Sequence, residues 1–181
     1  MFEYNEKMKI NTLNFWGFDL QNLNVNKICH VPMHQYRIAT KEQPLLYVDN
    51  LQCCIGLYAY SNTFGFAAHI NPVVMRGDEY ELNDSGIAIR FNRINDLKNA
   101  ILKHDNYEEK IKIGISLGWS PLDKEYPTVK MIHESINNLI MELTLMGFNV
   151  QKLEEKYEPQ FIIDIENQEF IVVENEKNKI K

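Results

Sequence analysis

Cysteine is scarce in this 181-residue sequence: three residues, Cys29, Cys53 and Cys54, with two of them adjacent. An odd count with neighbouring thiols is no secreted disulfide framework, and points to reduced thiols in the cytoplasm. Basic charge is also short, with 19 Lys+Arg against 25 Asp+Glu and a net charge of −6. That balance excludes the Lys/Arg footprint of a nucleic-acid binder and disfavours an anionic membrane surface. No stretch approaches the roughly 18 apolar residues of a membrane-inserted helix. The opening MFEYNEKMKI lacks the apolar run of a signal peptide. Glycine (8) and proline (6) are too few for a low-complexity chain.

What is present is an ordinary globular composition, 45% hydrophobic and 24% charged, long enough to bury a core without cross-links. Residues 1–35 are Asn-rich and aperiodic and read as an N-terminal extension, with Phe15, Trp16 and Phe18 as its anchors onto the domain. From Tyr36 a β-rich block begins. YRIAT and PLLYV are short strands separated by Pro44, and CIGLYAY and FGFAAHI flank a Ser61-Asn62-Thr63 turn. A loop holding Pro72 and Gly77 follows, then a helix capped at Asp84 or Ser85, with Ile87, Phe91, Ile94, Leu97 and Ile101 on its buried stripe. KIKIGISLGW reads as a strand. The second helix starts near Pro127, buries Val129, Ile132, Ile136, Leu139, Leu143 and Met146, and is capped by Gly147. FNVQKL, QFIIDI and EFIVVE close the chain as strands, with a turn at Glu166-Asn167-Gln168, and residues 175–181 form a frayed tail. The order predicts an α/β (α+β) layered sandwich, with mixed, largely antiparallel sheets and two main helices, in a domain spanning 36–174.

The chemistry lies in "NLQCCIGLYAYSNTFGFAAHINP", residues 50–72. With an even turn of Ser61 to Phe64, Tyr60 pairs with Gly65 and Gly56 with His69. Cys54 then shares a face with His69, diagonally across at roughly 7–8 Å between backbones. Gly56, opposite His69, leaves room on that face. A thiol beside an imidazole suits nucleophilic attack on a carbonyl, the ring taking and returning the proton. Cys53, on the other side of its strand, reads as core.

Leu51-Gln52-Cys53-Cys54, the strand IGLYAY and the Gly-containing strand FGFAAHINPVV resemble the CheD family of chemoreceptor glutamine deamidases. The element order after them is similar too, including KIKIGISLG and the closing hairpin. The resemblance implies a CheD-like fold, with Cys54 as nucleophile and His69 as base. It also implies a protein-glutamine glutaminase, a hydrolase acting on a side-chain amide without cofactor or metal. The implied substrate is a chemoreceptor, and the implied partner a CheC-type phosphatase. The family pattern has Gly where Asn50 and Gln52 stand, Ser at Cys53, and a catalytic Thr where this chain has Val48. Tyr47, Asn50 and Ser116 are the candidates for orienting His69 instead. The alternatives are a catalytically impaired homologue acting as a protein-binding module, and a deamidase of an unrelated protein.

Other histidines carry weaker signals. Cys29-His30-x-x-x-His34 contains Pro32, which breaks the helix that would bring His30 and His34 together on a metal. His104 and His133 read as surface residues. Asp78, Glu79 and Glu81 read as a solvated acidic loop bordering the pocket.

Overall fold

The computed structural model describes residues 25–51, 54–70, 74–76, 79–81, 84–118 and 127–173, with the backbone alone over 74–92 and 127–129. Within them the chain forms eleven strands and two α-helices. The strands are Ile28–His30 (β1), Tyr36–Ile38 (β2), Leu45–Val48 (β3), Ile55–Tyr60 (β4), Gly65–Ile70 (β5), Val74–Arg76 (β6), Glu79–Glu81 (β7), Ile111–Leu117 (β8), Val150–Lys152 (β9), Phe161–Asp164 (β10) and Glu169–Val172 (β11). The helices are Asp84–His104 (α1) and Pro127–Leu145 (α2).

Two mostly antiparallel sheets make an α+β sandwich: β1-β3-β10-β11, and β2-β5-β4-β8-β9. Only β1 with β3 and β8 with β9 pair in parallel among the named strand pairs. The central strands β4, β5 and β8 of the five-stranded sheet are buried on both faces, and strand alternation sorts their side chains. Ile55, Leu57 and Ala59, with Phe66, Ala68 and Ile70, pack against Leu97, Ile101, Ile136, Leu139 and Leu143 of the helices. The opposite parity, Cys54, Tyr58, Tyr60 and Ala67, packs against Leu46, Val48, Phe161 and Ile163 of the four-stranded sheet. The other face of that smaller sheet gathers Ile28, Leu45, Tyr47 and Ile162.

The β4–β5 hairpin closes as its turn residues dictate. Tyr60 pairs with Gly65 and Gly56 with His69. Ser61 N–H donates to the Phe64 carbonyl at 2.8 Å, and Ser61 Oγ accepts from Phe64 N–H at 3.2 Å. The end of α2 is equally local in origin. Gly147 adopts φ +94°, Phe148 N–H reaches the Leu143 carbonyl and Gly147 N–H the Thr144 carbonyl, both at 3.0 Å, which together make a Schellman cap.

Four expectations need correction. Residues 25–35 are part of the fold rather than an extension, because β1 adds to β3 in the smaller sheet. The segment after His69 holds the β6–β7 ribbon where a plain loop was expected, Val74 pairing with Glu81. Met146 lies past the end of α2 and is 46% exposed, since the cap turns the chain before the stripe repeats again. His104 and His133 are partly buried and hydrogen-bonded, to Glu109 at 2.9 Å and to Glu155 at 2.5 Å. Phe15, Trp16, Phe18, Cys53, Asp78 and the 175–181 tail lie outside the described residues, as do the side chains of Glu79, Glu81, Ile87, Phe91 and Val129.

Candidate functional site

Cys54 enters the site from a tight turn. Its N–H donates to the Leu51 carbonyl at 3.0 Å, and its own carbonyl accepts from Gly118 N–H at 3.5 Å. Ile55 then starts β4 between β5 and β8. The thiol is outside any disulfide, and its residue is 1% exposed. The packed layer between the two sheets encloses it. Because that N–H is spent on Leu51, an oxyanion would need donors other than Cys54's own amide.

His69 sits near the end of β5, opposite Gly56, with the parity that turns Ala67 and Tyr58 into the inter-sheet layer. Its backbone is clamped by the segment before β2: His34 N–H donates to the His69 carbonyl at 2.8 Å, and His69 N–H to the Gln35 carbonyl at 3.0 Å. The residue is 2% exposed. Neither ring nitrogen has a hydrogen-bond partner among the described residues. Burial pushes the imidazole down to about 4, partly opposed by the Asp49 carboxylate and the nearby Val31 backbone, and assisted by the neighbouring His30 and His34. The ring is therefore neutral at pH 7, able to accept a proton but unwilling to hold one alone.

The three orienting candidates lie elsewhere. Tyr47 alternates away from Val48 onto the other face of its sheet, where its hydroxyl donates to Gln160 Oε1 at 3.3 Å. Burial and the Asp49 charge hold that phenol well above its usual range. Asn50 is exposed and adopts φ +55°. Ser116 of β8 pairs with Gly56, on the side of β4 away from His69. Its hydroxyl donates to the Glu158 carbonyl at 2.9 Å and accepts from Glu158 N–H at 3.2 Å. Val48 is fully buried in the inter-sheet layer with Cys54.

Asp49 is the residue that pattern reading missed. It follows β3, is 9% exposed, and its Oδ1 lies 2.9 Å from His30 Nε2. Its field is the largest favourable influence on the charged form of His69. An acid directly after the apolar run PLLYV was the available signal, since buried carboxylates are rare unless partnered. The room over Gly56 is also taken. A Cβ there would fall 2.5 Å from Phe161 Cε1 and 3.1 Å from Leu51 Cδ1, so an aromatic ring from β10 fills the space beside His69.

The arrangement thus brings a thiol and a neutral imidazole to one buried layer, with a carboxylate–imidazole pair, Asp49–His30, at its margin. No group of three or more His, Cys, Asp or Glu side chains suited to a metal ion occurs among the described residues. Searched against protein-family models, the chain matches none, and no curated protein matches it.

Proposed function

We propose that the chain is a cysteine amidohydrolase resembling the CheD deamidases, converting a protein glutamine to glutamate. The observation that carries the reading is the β4–β5 register, which turns Cys54 and His69 into the same layer. In the proposed reaction the Cys54 S–H proton passes to a ring nitrogen of His69 as sulfur attacks the side-chain amide carbon. The C–N bond breaks, ammonia leaves with that proton, and a thioester remains. Water, deprotonated by His69, attacks the thioester carbon; the C–S bond breaks and the thiol regains its proton. An imidazole that is neutral and unpartnered suits both proton-accepting steps. By resemblance, the substrate is a chemoreceptor and the accessory partner a CheC-type phosphatase.

The test is ammonia release from the cytoplasmic fragment of a methyl-accepting chemoreceptor. Release that disappears in Cys54→Ala and His69→Ala is the expected result. No release, or release indifferent to Cys54→Ala, overturns the proposal.

A second reading is favoured by the packing of Val48 and Phe161: a CheD-like homologue that has lost turnover and acts by binding a protein. Val48 offers no hydroxyl, and Phe161 closes the space over Gly56. On this reading the chemoreceptor fragment binds without ammonia release, and Val48→Thr does not start it.

A further inference from the structure

Among the described residues the larger sheet ends in an open edge at β2. β2 pairs with β5 on one side, and no described strand lies on its other side. Ladder parity decides which groups face outward. His69 N–H donates to the Gln35 carbonyl and Ala39 N–H to the Gly65 carbonyl, so residues 35, 37 and 39 point their backbone groups inward. Tyr36 and Ile38 point theirs outward. The Tyr36 carbonyl accepts from Arg37 Nη1 at 2.8 Å. That leaves the Tyr36 N–H and both backbone groups of Ile38 facing away from the sheet, with no bond to a described residue outside the ladder.

This edge forms one wall of a shallow groove of about 520 Å³, lined by His34, Gln35, Tyr36, Arg37 and Ile38, with Arg93 of α1 opposite. The guanidinium of Arg93 lies 5.1 Å from the centre of the Tyr36 ring, which itself stacks on Phe66 at 5.3 Å. Arg93 Nη1 pairs with Asp96 Oδ2 at 3.0 Å, while its buried Nε has no partner among the described residues. Arg37 Nη2 donates to a neutral group, Gln35 Oε1, at 2.6 Å. Among the described residues the lining holds two arginines and a histidine, in a chain whose net charge is −6. Ile38, 44% exposed, adds an apolar contact in the same groove.

We propose that the β2 edge and Arg93 form a docking groove for an extended acidic peptide, which adds to the sheet as a further strand. The Tyr36 N–H and both main-chain groups of Ile38 supply the ladder. Alternate side chains of the incoming strand face α1, where a carboxylate meets Arg93 and an apolar residue meets Ile38. Edge strands are usually blunted by inward charges or cover, and here a cation, Arg93, lies over the Tyr36 ring at the wall of the groove. The inference does not depend on Cys54 chemistry, and binding is expected to survive Cys54→Ala.

The probe is a displayed library of random heptapeptides selected on the full chain, followed by fluorescence anisotropy of the enriched peptides. Enrichment of Asp or Glu at alternate positions is expected. Arg93→Glu is expected to weaken those peptides about tenfold or more, and peptides with Lys in place of the acids are expected to prefer the variant. Methylating the peptide amides that face β2 is expected to abolish binding. Arg37→Glu serves as the second variant if far-UV circular dichroism shows Arg93→Glu unfolded. Failure to enrich any peptide, enrichment of basic or purely apolar ones, or binding that tolerates either charge reversal or amide methylation overturns the proposal.

Discussion

Acidification makes His69 a liability whose size follows from its burial. In the unfolded chain an imidazole titrates near 6.5, whereas burial lowers it in the fold to about 4. Between those values the unfolded state binds the extra proton, so stability rises with pH through that window and is flat above it. The 6.5 to about 4 difference, at 1.36 kcal/mol per unit, gives an upper limit of about 3 kcal/mol. From pH 7 to pH 4.5 roughly 2 kcal/mol of that is lost. The rest of the chain also contributes to the pH dependence of stability, and that part is common to wild type and to a variant lacking the ring. The comparison is therefore between wild type and His69→Leu, which removes the ring without leaving an unsatisfied polar atom. Urea unfolding at the two pH values should show wild type losing about 2 kcal/mol more than the variant, near 1 M in midpoint for a slope of about 2 kcal/mol/M. Parallel losses in the two proteins would refute the idea that His69 is held neutral by burial.

Other perturbations test the packing around the site. Gly56→Ala forces a Cβ to within 2.5 Å of Phe161 Cε1 and should cost about 1–3 kcal/mol in urea unfolding, with Phe161→Leu restoring part of the loss. Gly147→Ala places a Cβ at φ +94° and should destabilise by about 1 kcal/mol, read as a lower melting temperature. Glu109→Gln weakens the carboxylate that accepts from Thr63 N–H at 2.8 Å, Thr63 Oγ1 at 2.7 Å and pairs with His104, and should cost about 1–2 kcal/mol at pH 7. These contacts hold the Glu109 carboxyl below its ordinary value, so that variant's deficit should shrink as pH falls through the carboxylate range.

The hairpin register was readable because it depends on local facts: a four-residue turn at Ser61–Phe64 and side chains alternating with period two. The second helix was readable for the same reason, its Pro127 start and Gly147 cap bracketing a regular stripe. β1 was not. Ile28-Cys29-His30 has no period to see in three residues, and it forms only because β3 lies alongside, Ile28 against Leu45. Tyr47 seemed near the base because it neighbours Val48 in sequence, yet adjacency on a strand places two side chains on opposite faces. Asp49 influences His69 across the sandwich, and Phe161 arrives over Gly56 from a distant strand. Both depend on which sheet faces which, and no pattern within one segment encodes that. Element order supported the layered α+β sandwich, whereas the contents of its buried layer needed tertiary geometry.

The most direct test of whether Cys54 and His69 act as a pair is the iodoacetamide labelling rate of Cys54 at pH 7. It is read by mass spectrometry in a Cys53→Ser background, with and without His69→Ala. If His69 serves as the base for the thiol, the alanine variant should label at least about tenfold more slowly, despite the space the missing ring opens. Equal or faster labelling in His69→Ala would make Cys54 a packing residue whose access the ring merely blocks, and would contradict the account.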